Sequence, residues 1–280
     1  MRTAAGSTLT PQGPSLLNDT VTAALLGLVE GITEFLPVSS TGHLIVAADL
    51  LNFRDAGGTF EIVIQLGAVL AVITYYWREL LGQARALPQR SEVRGLWLGI
   101  MLAFLPAAAL GFLFSDAITR YLFSPVTVGL SLMLGGAVLW LIEGRAFTAR
   151  TTVLTQVSPR QALIVGCAQC LALIPGVSRS ASSIIGGLLT GLDRPTATAF
   201  SFYLSIPTLG LATLYALIKG REALDSTQLG PLLVGMLVSF VTALLAIGWL
   251  LKYVSRHDFR GFAIYRILVG LAILGWALWR

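Results

Sequence analysis

Glu30-Gly-Ile-Thr-Glu-Phe-Leu-Pro-Val-Ser-Ser-Thr-Gly-His43 interrupts an apolar stretch running from about Val21 to Leu51. Pro175-Gly-Val-Ser-Arg-Ser180 interrupts a second, from about Gln161 to Leu192. Proline removes a helical donor and clashes with the preceding turn, so each insert breaks a helix. The pieces on either side are short, about 10–16 residues, against the roughly 20 needed to cross a bilayer core. Such lengths suit re-entrant segments. Polar backbone at membrane depth is tolerated only where it lines a cavity or is buried in protein.

Outward from the breaks, six longer apolar segments follow, at roughly 59–77, 96–114, 126–143, 196–218, 230–252 and 262–279, with charge mostly at their ends. The 280 residues are 55% hydrophobic and 12% charged, with a mean hydropathy of +0.80. A soluble domain carries about 25% charged residues, so a soluble enzyme is excluded. Disorder, which needs low hydrophobicity, is excluded too. The expected fold is an all-α integral membrane bundle of six spanning helices plus two re-entrant helix pairs. The net charge of +5 comes without a basic run interleaved with aromatics, which argues against nucleic acid as a partner. Up to Asp19 the chain lacks a basic segment abutting an apolar one, so no cleaved signal peptide is expected. Cys167 and Cys170 sit in an apolar helix with no strand before it and read as two small buried side chains rather than a redox pair.

The two broken stretches resemble each other. Gly27-Leu-Val-Glu30 matches Gly166-Cys-Ala-Gln169, Val38-Ser39 matches Val177-Ser178 at the same offset, and a Phe-led span follows each, at Phe60 and Phe200. The chain therefore reads as a first repeat over 18–143 and a second over 160–280, each a re-entrant pair plus three spans. Three is odd, so the second copy enters from the opposite side. Inverted repeats of this kind place their site at midplane, on broken helices. Threading the chain this way puts Arg78, Arg85, Arg90, Arg94, Arg145, Arg150, Arg160, Arg194, Lys252, Arg256 and Arg260 on one face, and Arg2, Arg54, Arg120, Lys219, Arg221 and Arg280 on the other. The richer face is expected to be cytoplasmic, which places both termini and the first hairpin outside.

The breaks also carry the chemistry. Glu30 and Glu34, at i and i+4, share one helix face. A carboxylate inside a membrane is costly and a functional candidate by default. Two together call for a proton on one or a cation between them, and Mg²⁺ uses one or two carboxylates plus phosphate oxygens. Water at a helix end is the plainer alternative. Ser39, Ser40 and Thr41 open a second helix, whose free N–H groups and dipole suit an anion. His43 follows Ser40 closely enough for a Ser–His pair. In the mirrored break Ser178, Ser180 and Ser183 flank Arg179, whose planar fork grips phosphate and stays charged when buried. A purely structural ion pair of Arg179 with Glu30 or Glu34 is the competing reading. Arg266, one turn inside the last span, either snorkels to the interface or has a function. Together the set handles a phosphorylated group, and a substrate arriving from the bilayer should carry a lipid tail.

At these residues the sequence resembles the BacA family of undecaprenyl-diphosphate phosphatases. Glu30 to His43 fits the family's first motif in full and Pro175 to Ser180 its second, with further likeness over Phe60–Gly67, Phe200–Pro207 and Ala263–Arg266. One departure is visible: Ala181-Ser182-Ser183 stands where the family usually has Gly-Ala-Thr. Ser183 keeps the hydroxyl, while the missing glycine weakens close backbone approach at 181. The resemblance implies hydrolysis of the C55 polyprenyl diphosphate to the monophosphate plus phosphate, recycling the lipid carrier of cell-wall synthesis in the bacterial inner membrane. It also implies bacitracin resistance and an outward-facing site. It implies that Glu30 and Glu34 hold a divalent cation, Mg²⁺ or Ca²⁺, or tune the general base. Ser40 is then the nucleophile, with His43 as its base or as acid for the leaving group. Arg179 clamps the diphosphate with Ser39, Thr41, Ser178, Ser180 and Ser183. Direct attack by water would reduce Ser40 to a binding role. A lipid-phosphate flippase or transporter is the main rival, since broken helices and inverted repeats also build transporters. Against it, Gln169, Leu173 and Ser182 stand where Glu30, Glu34 and His43 would recur in the second repeat. A structural scaffold leaves the buried ionisable residues without a role. A homodimer is compatible with the sequence but not required by it.

Overall fold

A computed structural model describes residues 19–53, 59–145, 148–220 and 229–279. The amino-terminal stretch weighed as a leader, and Arg2, Arg54, Arg221 and Arg280 of the charge count, lie outside these residues, as does the side chain of Lys219. Helix α1 (Asp19–Thr33) stops ahead of Pro37, and α2 (Ser40–Leu50) restarts beyond it under an N-cap from Ser39, whose side chain accepts from the Gly42 N–H at 3.4 Å. The spans follow as α3 (Thr59–Tyr75), α4 (Trp77–Ala86), α5 (Ser91–Leu122) and α6 (Pro125–Glu143). The second half opens with α7 (Pro159–Gln169), set by a Ser158–Gln161 capping box. After a short 3₁₀ turn over Cys170–Leu173 and the Pro175-Gly176 break comes α8 (Arg179–Leu189), capped by Ser178. Then come α9 (Arg194–Gly220), α10 (Leu229–Val254) and α11 (Arg260–Trp279).

The two breaks are built alike. Helices α2 and α8 are both 11 residues long, and their caps Ser39 and Ser178 hold φ of 72° and 75°. That region is disfavoured for a residue with a Cβ, and strain of this sort persists only where the surroundings enforce it. Packing is reciprocal between the halves: α6 lies against α11 and α3 against α9, while α1 on α10 answers α7 on α5. At both of the latter crossings a glycine lets backbones touch. A Cβ on Gly27 would strike the Gly235 carbonyl of α10, and one on Gly166 would strike the Ala103 carbonyl of α5. Close approach at small residues is how helices associate where lipid removes the hydrophobic drive.

Among the described residues five helices are long and apolar enough to cross a membrane, and the α3–α4 pair, bent by 65°, makes six when counted as one span. The joint expected over Arg78–Arg94 is largely helical. It contains α4, which buries none of its residues and is tied down by polar contacts instead. The Tyr203 hydroxyl donates to Glu79 Oε2 at 3.1 Å and accepts from Gln83 Nε2 at 3.1 Å, and the Trp97 indole donates to Gln83 Oε1 at 3.0 Å. At the end of the bundle where α6 finishes, buried Glu143 takes a forked ion pair from Arg194 and accepts from the Phe259 N–H at 3.1 Å. Cys167 and Cys170 are not the two buried side chains expected: Cys167 is exposed and Cys170 half-buried. Small residues of α7 make its packing contacts instead: Gly166 meets Ala103 of α5, and Ala168 and Val165 lie against Gly186 of α8.

Valine in place of Gly27 or Gly166 should push a broken helix off its span. Thermal unfolding in detergent should report a loss of at least about 1–3 kcal/mol. The same change at Gly82, where an added Cβ meets nothing within 4 Å, should leave the midpoint unmoved.

Candidate active site

A broken helix leaves carbonyls without intrahelical donors, and burying them unpaired is expensive. Arg266 resolves this for both breaks at once. It is fully buried in α11, donating from Nη1 to the Pro37 carbonyl at 3.1 Å and from Nη2 to the carbonyls of Val177 at 2.8 Å and Gly176 at 3.2 Å. Of the two readings left open by the sequence, snorkelling is therefore overturned. The guanidinium points into the protein, where Gly135 leaves no Cβ in its way. Ser180 adds a second tie between the breaks, its Oγ donating to the Leu36 carbonyl at 2.7 Å.

Bringing the breaks together joins Glu34 to Arg179. Glu34 Oε1 accepts from Arg179 Nη2 at 3.2 Å and Nε at 3.3 Å, and Glu34 Oε2 accepts from the Ser40 hydroxyl at 2.5 Å. All three side chains lie at the meeting point of α1, α2 and α8. The ion pair weighed from the sequence as a structural alternative is thus present, and it also carries the serine. Arg179 Nη1 donates to the Ser201 carbonyl at 3.0 Å and to its Oγ at 3.3 Å, and the guanidinium lies over the Phe35 ring at 5.6 Å. Ser183 donates to Ser201 Oγ at 2.7 Å. Ser178 and Ser180 are linked at 3.1 Å, and Thr41 is half-buried in the first turn of α2.

His43 is turned elsewhere. Its Nδ1 lies 2.7 Å from the Ser39 carbonyl, which can only accept, so Nδ1 carries the proton and Nε2 accepts from the Tyr265 hydroxyl at 2.7 Å. The two rings are parallel, 5.6 Å apart. The structure therefore gives Ser40 to Glu34 rather than to His43. Glu30 is buried at 1% exposure, and its Oε1 has no hydrogen-bond partner. Among the described residues no three His, Cys, Asp or Glu side chains converge as a metal cage. The site thus has one open buried carboxylate oxygen, on Glu30, while both oxygens of Glu34 are engaged. Sequence reading missed Ser201, Tyr265 and Phe35. Ser201 and Tyr265 come from α9 and α11, far along the chain, and only their place within the Phe200–Pro207 and Ala263–Arg266 stretches marked them.

Comparison with known proteins identifies the family. The family described as bacitracin resistance protein BacA matches residues 23–272. The chain is 52% identical to an undecaprenyl-diphosphatase of Deinococcus radiodurans over 260 residues, covering 91% of this chain and 94% of the relative. It is 50% identical to one from Deinococcus deserti, covering 91% and 94%, and 49% identical to one from Dechloromonas aromatica, covering 92% and 96%.

Replacing Arg266 by Lys keeps a charge but loses the fork that spans the two breaks. It should lower stability by about 2–4 kcal/mol and turnover with it, read by thermal unfolding and phosphate release. An unchanged midpoint would contradict the clamp.

Proposed function

The chain belongs to the BacA family of bacitracin resistance proteins, and on that premise we propose how its two breaks carry out the reaction. The protein is a membrane-embedded phosphatase that hydrolyses undecaprenyl diphosphate to undecaprenyl phosphate and phosphate, returning the carrier lipid to cell-wall synthesis. The observation that carries the mechanism is the continuous Ser40–Glu34–Arg179 chain across the junction.

Ser40 Oγ attacks the terminal phosphorus, and Glu34 Oε2 takes its proton over the 2.5 Å contact. The bond from phosphorus to the bridging oxygen breaks, and undecaprenyl phosphate leaves. Water then attacks the phosphoserine, the bond from phosphorus to Ser40 Oγ breaks, Glu34 returns its proton to that oxygen, and phosphate leaves carrying the water's oxygen. Arg179, pinned by Glu34 and Ser201, presents its remaining N–H to the diphosphate. Positioning and charge stabilisation of this kind dominate phosphoryl transfer. The N-termini of α2 and α8, shaped by Ser39 and Ser178, hold phosphate oxygens alongside Thr41, Ser180 and Ser183. With Ser40 served by Glu34, the hydrogen-bonded His43–Tyr265 pair is left for the leaving group's proton.

A divalent cation, Mg²⁺ or Ca²⁺, fits beside this chain, because Glu30 offers an open buried oxygen and the diphosphate offers the rest. Bound there, it would neutralise charge developing on the diphosphate. Glu34, whose oxygens already accept from Arg179 and Ser40, has fewer lone pairs to offer such an ion. The reading places the junction between two inverted repeats and opens it to the outside, with both termini there. Support comes from the matching cap geometry of Ser39 and Ser178 and from the gathering of Arg194, Arg260 and Glu143 at the other end.

Glu34→Gln should cut phosphate release by about 10²–10⁴-fold, and Ser40→Ala by at least as much, with folding intact. EDTA should abolish release in the wild type. Substantial turnover by Ser40→Ala would remove the nucleophile, and release that survives EDTA would leave Glu30 a proton-handling role.

A further inference from the structure

The carboxyl end of α10 holds a cavity of about 360 Å³ lined by Trp249, Lys252, Tyr253, Ser255, Arg256 and His257. It lies at the α10–α11 joint, and none of the residues of the Ser40–Glu34–Arg179 chain lines it. Its floor is built. Trp249 stacks on Tyr253 at 5.1 Å and Tyr253 on His257 at 4.6 Å, and Phe262 of α11 braces Tyr253 edge-on at 5.4 Å. Among the described residues no acidic side chain lines it.

Neighbouring cations are already employed. Arg194 is paired with Glu143, and Arg260 with Asp258 at 3.7 Å. Among the described residues Lys252 and Arg256 have no ion-pair partner, and both are exposed. Below the cavity α10 shows a continuous apolar stripe at four-residue steps: Leu237 is 61% exposed, Val241 46%, Leu245 70% and Trp249 50%. A charged end and a greasy track in line describe one kind of occupant.

We infer that this cavity is a binding site for an anionic phospholipid, its phosphate seated between Lys252 and Arg256 on the aromatic floor and an acyl chain lying along Leu237–Leu245. Indole and phenol rings favour the headgroup level of a bilayer, and basic pockets there take anionic headgroups. Lys252 and Arg256 supply the charge, and the stripe distinguishes a lipid from a free anion.

Native mass spectrometry of the purified full chain tests this. The probes are phosphatidylglycerol, phosphatidylcholine of matched acyl chains, and inorganic phosphate as competitor. The wild type should retain one phosphatidylglycerol in preference to phosphatidylcholine. Lys252→Gln/Arg256→Gln should bind it about 30-fold more weakly, the worth of two surface cations, with phosphatidylcholine retention and detergent hydrolysis unchanged. Leu245→Ser should loosen the lipid severalfold. Equal retention of the two lipids, or a double variant indistinguishable from wild type at an unaltered unfolding midpoint, would overturn the site. Displacement by millimolar inorganic phosphate would overturn the lipid as its occupant.

Discussion

Two helices are broken inside an apolar bundle, and one buried guanidinium makes this tolerable. Arg266 donates to Pro37 on one side and to Gly176 and Val177 on the other. Each carbonyl would otherwise face a medium without water, at a cost of several kcal/mol apiece. A buried cation is itself costly, and a fan of carbonyl dipoles is what makes it bearable. The breaks can therefore exist together or not at all, and the distance between them is fixed by the span of one planar group. Gly135 of α6 is part of the same device, since a Cβ on it would enter the space of the Arg266 guanidinium, and Gly136 lets the Ala263 carbonyl of α11 come close.

The proposed catalytic chain hangs on that juxtaposition. Glu34 lies just past α1 and Arg179 opens α8, 145 residues apart, and they meet because the breaks meet. Arg179 has few choices once there: Glu34, Ser201 and the Phe35 face hold it on three sides. A guanidinium so constrained presents its charge without reorganising, which is where electrostatic catalysis gains most. Strained caps at Ser39 and Ser178 belong to this logic, because the φ they hold aims the first turns of α2 and α8 into the junction.

Much of this was legible in the sequence, for identifiable reasons. Pro37 and Pro175 announce the breaks, the offset shared by Val38-Ser39 and Val177-Ser178 announces their equivalence, and Glu30, Glu34 and Arg179 stand out because charge is rare in apolar helices. The partners of Arg266 were invisible, since backbone carbonyls leave no mark on residue identity. Ser40 beside His43 suggested a Ser–His pair, but the turn of α2 gives His43 to Ser39 and Tyr265 instead. Helix α4 was hidden because its charged residues read as a joint, when Tyr203, Gln83 and Trp97 hold it by polar contacts. Cys167 looked buried because apolar surroundings in the chain do not distinguish a core from a lipid-facing surface.

The central claim is that Ser40, relieved of its proton by Glu34, forms a covalent intermediate. The stereochemical course at phosphorus tests it most directly. A polyprenyl diphosphate whose terminal group is an isotopically chiral thiophosphate would be hydrolysed in labelled water and the released thiophosphate configured. Two in-line displacements, through Ser40 and then water, predict net retention. Net inversion would mean that water attacks the substrate directly, and the Ser40–Glu34 contact would then be a binding feature only.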